Sequence, residues 1–276
     1  MSTDLSPPPN GQRRAPALLP ALLTMDRRSS AVVQPTKVAR QAVILAGGKG
    51  VRLRPYTTLI PKPLVPIGDD HSILEIVLRQ LAEQGFERVV LAIGHLGNLI
   101  RAYVGDGSQW GIEVDYLHES SPLGTIGPAL TVLDDMPRDF LVMNGDILTD
   151  IDYADVLDTH IASVAPLTIA TYEREQRIDF GVLGLTDREV TSFREKPTFT
   201  YAVSMGVYAV SDRALEGYPP GVPLGFDDLI LDLLERGDPP ASYPFSGYWL
   251  DIGRPDDYDR ANSEFETMKS KLLPCR

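Results

Sequence analysis

Apolar residues along the chain fall into short continuous runs and stretches of helical spacing, with turn-forming residues between them. Residues 42–45 form an apolar run that predicts a buried strand leading into a glycine-rich loop. Ser72 and Glu75 have the spacing of a capping box, and Ile73, Ile76, Val77, Leu78 and Leu81 continue it as a helix that stops at Gly85. Further strands are predicted over residues 88–93, 112–117 and 140–143, with helices over 96–104 and 127–135. Strands taken in turn with helices imply an α/β fold with a doubly wound, mostly parallel sheet. In such sheets ligands sit beyond the carboxyl ends of the strands, which is where the glycine loop lies.

The second half is less regular. Residues 167–172, 181–185, 190–193 and 204–210 predict strands, some of them antiparallel hairpins, and helices are expected over 226–236 and 255–269. No repeat and no sharp change of composition follows residue 40, so residues 39–276 read as a single domain with halves 39–150 and 151–276. Residues 1–38 carry prolines at 7, 8, 9, 16, 20 and 35, a composition that predicts a disordered or loosely attached extension. Arg13 and Arg14 ahead of an apolar stretch resemble a secretory signal, but Pro16 and Pro20 interrupt it and no small-residue cleavage site follows. Met25 is an alternative start.

Composition narrows the function. The hydrophobic fraction of 43% and mean hydropathy of −0.08 are those of an ordinary globular chain, and no apolar run is long enough for a membrane span. A net charge of −12 argues against a nucleic-acid binder, which needs extended basic surface. One cysteine, Cys275, excludes an internal disulfide and fits a cytoplasmic location. With four histidines besides, a structural zinc site is not expected.

Against that acidic background the loop is basic. Gly47, Gly48 and Gly50 free the backbone to turn its N–H groups toward a phosphate, and Lys49, Arg52, Arg54 and Lys62 surround it. A small anionic ligand explains this pattern, whereas solvated surface charge does not account for the glycines and prolines. The Walker pattern G-x-x-x-x-G-K-[ST] is absent, and the dinucleotide fingerprint fails because Leu53 stands where it needs glycine. That spacing counts against a nicotinamide oxidoreductase.

Residues 45–55 (LAGGKGVRLRP) with Pro61-Lys62-Pro63-Leu64 resemble the signature of the sugar-nucleotide pyrophosphorylases, L-A-G-G-x-G-[ST]-R-L-x-P followed by P-K-P-L. Val51 replaces the usual Ser or Thr, which leaves backbone N–H contacts but no side-chain hydroxyl. The resemblance covers about residues 41–265 and implies a Rossmann-like sheet whose second half holds the sugar in an antiparallel subregion. Many relatives carry a β-helix domain after this one; here the chain ends soon after its final helix, and none is expected. The implied reaction joins a nucleoside triphosphate to a sugar or cyclitol 1-phosphate with Mg²⁺, and self-association is common in the family.

That chemistry brings two anions together, so the protein must supply cations and a metal more than a nucleophile. Arg52, Lys62 and Lys196 are the expected catalytic cations. Leu45, Ala46, Gly47, Gly48, Gly50, Glu119, Gly124 and Asp146 are expected to bind nucleotide, and Gly181, Glu195, Lys196 and Ser204 the sugar phosphate. Asp146, in MNGD after an apolar strand, and Asp251, in GYWLDIGRP, are the expected metal ligands, since Mg²⁺ takes one or two carboxylates with phosphate oxygens and water. Read alone, each aspartate also fits a helix cap. The segment around Pro122-Leu123-Gly124-Thr125 looks most like the mannose-1-phosphate guanylyltransferases. A carboxylate at Glu119 accepts from both N1–H and N2–H of guanine, a donor pair that uracil and adenine lack. The rival from another class is a silent subunit that binds sugar nucleotide and regulates a partner; retention of Arg52, Lys62, Asp146, Lys196 and Asp251 counts against it.

Overall fold

The computed structural model describes residues 39–273, all within one compact unit, so the expectations for residues 1–38 and Cys275 lie outside the described residues. Strand β1 (Arg40–Ala46) is buried on both faces, as its continuous apolar run requires. Beyond it lie the glycine loop, 3₁₀ turns at Val51–Leu53 and Lys62–Leu64, and a small ribbon of β2 (Pro66–Ile67) and β3 (His71–Ser72). Helix α1 (Ile73–Glu83) begins where Ser72 accepts from the Glu75 N–H at 3.2 Å. Only that half of the capping box forms, because the Glu75 carboxylate turns instead to His71, Arg79 and Tyr103.

β4 (Phe86–Ile93), α2 (Gly97–Val104), β5 (Glu113–His118), α3 (Gly127–Thr131) and β6 (Asp139–Asn144) complete the first half. The helix expected over 127–135 gives way after Thr131 to a 3₁₀ turn at Leu133–Asp135, where β-branched Thr131 and Val132 and the approaching Pro137 disfavour further α-turns. The second half contains β7 (Ile147–Thr149), α4 (Tyr153–Ser163), β8 (Leu167–Arg177), β9 (Val182–Thr186), β10 (Glu189–Arg194), β11 (Thr198–Ser211), α5 (Phe226–Glu235), β12 (Ala241–Phe245), β13 (Trp249–Asp251) and α6 (Pro255–Leu272).

Seven strands form one mixed sheet in the order β12-β8-β11-β6-β1-β4-β5. Pairs β1·β4, β1·β6, β4·β5 and β12·β8 are parallel, while β11 runs antiparallel to β6 and β8. The doubly wound, mostly parallel sheet with an antiparallel subregion is therefore present. Alternate residues of β1 feed opposite cores: Ala42 and Ile44 pack with α1 and α4, Val43 with α3 and α5. A third core joins Leu53, Val65 and Ile76 to Leu250, Ile252 and Phe265, tying the start of the chain to its end.

The short ribbons β2–β3 and β7–β13 and the edge strand β12 are not among the expected elements, and two further regions depart from them. Strands β8 and β11 outrun their apolar cores, pairing on through Arg177 and Thr198 as a largely exposed arm, all polar over residues 173–177 of β8 but alternating through Phe199, Tyr201 and Val203 on β11. Helix α4 was not expected; Asp152 caps it by accepting from the Asp155 N–H at 2.9 Å. No helix of the described residues is long and apolar enough to cross a membrane.

Candidate active site

The loop after β1 turns on two glycines for different reasons. Gly50 adopts φ +58°, a left-handed conformation that side chains disfavour, and the Thr57 hydroxyl fixes it by donating to the Gly50 carbonyl at 2.7 Å. A Cβ on Gly47 would sit 2.3 Å from Glu119 Oε2, so any side chain here would displace that carboxylate from the loop. The 3₁₀ turn that follows buries Leu53 completely and thereby leaves Arg52 facing the open side.

A cleft of about 810 Å³ opens at the carboxyl ends of β1, β4, β5 and β6. Expected nucleotide residues Leu45, Ala46, Gly47, Gly48, Gly50, Glu119, Gly124 and Asp146 all line it, with Arg52 and Lys62. Lys49 joins them, whereas Arg54 lies outside. Gly94, His95 and Asn144 also line the cleft without having been anticipated. Their signal was available, since each ends or follows a parallel strand, the place where ligands collect.

Lys62 is only 8% exposed, and such a cation needs a partner. It ion-pairs with Asp146 Oδ2. The second carboxylate oxygen, Asp146 Oδ1, is buried without a hydrogen-bond partner among the described residues. Asp251 reaches the same spot because β13 pairs with β7: Asp251 lies opposite Ile147, and the Ile252 N–H donates to the Asp146 carbonyl at 3.2 Å. Desolvation, then the neighbouring Asp146 carboxylate, push the Asp251 carboxyl above its usual range, with Lys62 and Arg52 pulling the other way. Two carboxylates that repel each other around an unpartnered oxygen fit a hard divalent cation completed by phosphate and water. Among the described residues no group of three or more such ligands is assembled, so the protein alone does not make a closed metal cage.

The opposite wall is the loop of residues 119–125. Leu123 and Ile126 are pinned to Leu224 by backbone hydrogen bonds of 2.9 and 3.1 Å, and Thr125 Oγ1 accepts from the Phe226 N–H at 2.9 Å. Burial raises the Glu119 carboxyl, opposed by the Leu123 N–H and by His118. A second pocket of about 370 Å³ adjoins the cleft and shares Arg52 and Gly253 with it. Ser204 and Asp251 line this pocket, together with Arg174, Trp249, Arg254 and Asp257, which the sequence reading had not singled out. The Ser204 hydroxyl is already engaged, donating to Tyr208 at 2.9 Å and accepting from the Gly206 N–H at 3.3 Å.

The remaining expected sugar residues are not brought to either pocket. Gly181 packs beside Phe193 and Glu195, and Glu195 and Lys196 are exposed beyond the β9–β10 hairpin, Lys196 at φ 40°.

Residues 41–268 match the model of the nucleotidyl transferase family. A mannose-1-phosphate guanylyltransferase of Mycobacterium tuberculosis is 33% identical over 230 residues, covering 81% of this chain and 64% of that protein. A UTP–glucose-1-phosphate uridylyltransferase of Synechocystis is 30% identical over 241 residues, covering 80% of this chain and 62% of that protein. The chain thus spans less than two thirds of the length of these two relatives. HddC of Yersinia pseudotuberculosis, crystallised in complex with GMP-PN, aligns with a TM-score of 0.64 at 29% identity over 82% of this chain and 99% of its own.

Proposed function

The chain belongs to the nucleotidyl transferase family, and from that premise we propose that it joins a nucleoside triphosphate to a sugar or sugar-like 1-phosphate, releasing pyrophosphate. The observation that carries this reading is the Lys62–Asp146 ion pair beside Arg52 and the glycine loop, with the β7–β13 ribbon holding Asp251 next to it.

An oxygen of the sugar phosphate attacks the α-phosphorus, and the bond to the leaving pyrophosphate breaks. Unit charges about 4 Å apart repel by about 4 kcal/mol at the effective dielectric near a protein surface, so the approach of two anions needs fixed cations. Backbone N–H groups of residues 47–50 and the Lys49 side chain receive the triphosphate, and Lys62 lies at its reacting end. Arg52 lines both pockets and spans the two phosphates. Asp146, through its unpartnered Oδ1, and Asp251 would hold Mg²⁺, which when bound neutralises phosphate charge and aligns the reacting groups.

Glu119 supports GTP as the nucleotide, since its carboxylate lies in the cleft beside Gly47 and matches the paired donors of guanine. The relatives include both a guanylyl- and a uridylyltransferase. Pyrophosphate release is measured for each common nucleoside triphosphate against a set of sugar 1-phosphates. The expected result is Mg²⁺-dependent release with GTP preferred. Preference for UTP, dTTP or ATP would remove the base assignment, and no release with any pair would remove the transferase reading.

A further inference from the structure

The smaller pocket carries more positive charge than one sugar phosphate calls for. In a chain with net charge −12, three arginines, Arg52, Arg174 and Arg254, line a space of about 370 Å³. Arg52 lies at the junction with the nucleotide cleft, whereas Arg174 and Arg254 line the smaller pocket alone. Its two acids are already engaged. Asp257 accepts the backbone N–H groups of Gly253 and Arg254 at 3.1 and 2.8 Å, and Asp251 faces Asp146 at the candidate metal position.

Arg174 is exposed, and the Trp249 ring positions its guanidinium over the pocket. Its guanidinium lies 5.0 Å from the centre of the Trp249 ring, and that ring is fixed by donating Nε1–H to the Met205 carbonyl at 3.2 Å and by packing on Tyr172. Arg254 follows β13 directly and starts α6, so its backbone is set by the same ribbon that positions Asp251. Neither Arg174 nor Arg254 is ion-paired with a carboxylate among the described residues. A planar fork of donors beside an aromatic wall suits a phosphate or carboxylate.

We propose that Arg174 and Arg254 receive a second anionic group of the acceptor, distal to the phosphate that reacts, so that the preferred acceptor is a sugar or cyclitol 1-phosphate bearing a further phosphate or carboxylate. The inference rests on the transferase reading above for which phosphate reacts, and on the pocket alone for the second anion. The reaction that supplies such an acceptor would be a phosphorylation or oxidation of the ring substituent farthest from the anomeric position.

Three acceptors with the same ring separate the possibilities: α-D-glucose 1-phosphate, α-D-glucose 1,6-bisphosphate and α-D-glucuronic acid 1-phosphate. Pyrophosphate release is followed with each, and each is titrated calorimetrically into the protein in parallel. A doubly anionic acceptor is expected to exceed glucose 1-phosphate about tenfold or more in kcat/KM and in affinity, as one charge-assisted contact supplies. The bisphosphate and the uronate arms show which anion is taken. Arg174→Gln and Arg254→Gln should each bring that ratio close to one, while Arg188→Gln, on the exposed β9–β10 turn, leaves it unchanged. Equal affinity for all three acceptors, or a ratio unmoved by both variants, overturns the inference. Absence of pyrophosphate release with every acceptor counts against the transferase reading, and the calorimetric ratio still decides the pocket.

Discussion

Residues around the glycine loop hold their charges on a buried frame, whereas the outer arm of the second half holds its charges in the open. Lys62 is 8% exposed on a 3₁₀ turn between buried Leu53 and Val65, and it is already paired with Asp146. On the arm, every residue of β10 is exposed, Phe180 is 77% exposed, and Glu195 and Lys196 have no place in either pocket. The difference separates two ways of handling an anion. The inner groups are set before any ligand arrives, so their value appears in the reacting geometry, where preorganised charge acts most strongly. The outer groups have no place in either pocket, so any contact they make with an acceptor would appear in binding rather than in the reacting geometry.

The largest effect expected from this contrast belongs to the inner groups. Asp146→Asn and Lys62→Ala should each lower kcat about 10²–10³-fold in a protein that remains folded by circular dichroism, the loss typical of one preorganised charge contact. Turnover near that of the parent protein would remove the substituted residue from the mechanism. Next comes the base wall: Glu119→Gln, which can no longer accept from two donors, should lower the GTP-to-UTP ratio of kcat/KM about tenfold. An unchanged ratio would assign base reading elsewhere. On the arm, Lys196→Ala should raise KM for the acceptor up to about tenfold with kcat within about threefold. A fall in kcat as large as that of Lys62→Ala would erase the contrast, because it would put Lys196 against the reacting phosphates.

The smallest effect lies away from the cleft. His160 of α4 is fully buried between Thr168 and Ser211, at 2.8 and 3.0 Å. Desolvation lowers its pKa from 6.5, against the pull of Asp139 and with help from Arg213. The unfolded chain therefore takes up a proton as pH falls below 6.5 while the folded chain does not, so stability declines in that window. The decline is at most about 1.4 kcal/mol per pH unit and ends below the folded pKa. Thermal denaturation of the parent protein and His160→Gln from pH 7 downward should show a flatter slope for the variant; parallel slopes would mean that His160 takes no part.

The inner frame was legible because local chemistry and tertiary placement coincide there. The apolar run of β1, the glycines after it and the spacing of Ser72 with Glu75 each act within a few residues, and the cleft formed where those signals placed it. The pairing of Asp146 with Asp251 was visible only as a resemblance, since it depends on β7 meeting β13 about a hundred residues later in a ribbon of three residues per strand. Arg174 went unnoticed for the same reason, since it comes from β8, whereas Trp249, Arg254 and Asp257 lie in or just after the GYWLDIGRP run and were overlooked beside Asp251. Helix α4 had a readable cap at Asp152 and apolar positions at Tyr153, Val156 and Leu157, and was overlooked. The extended part of β8 carries no apolar alternation because water reaches both of its faces, whereas that of β11 alternates Phe199, Tyr201 and Val203 with small and polar residues, a readable signal that was missed.

Divalent-ion binding tests the convergence most directly. Mn²⁺ affinity, followed by electron paramagnetic resonance with a non-transferable GTP analogue present, is compared among the parent protein, Asp146→Asn and Asp251→Asn. Each variant should bind the ion about tenfold or more weakly, as expected when one of two carboxylates around a shared ion is lost. Parent-like affinity in both variants would contradict the account, because the two acids would then not meet at the phosphates.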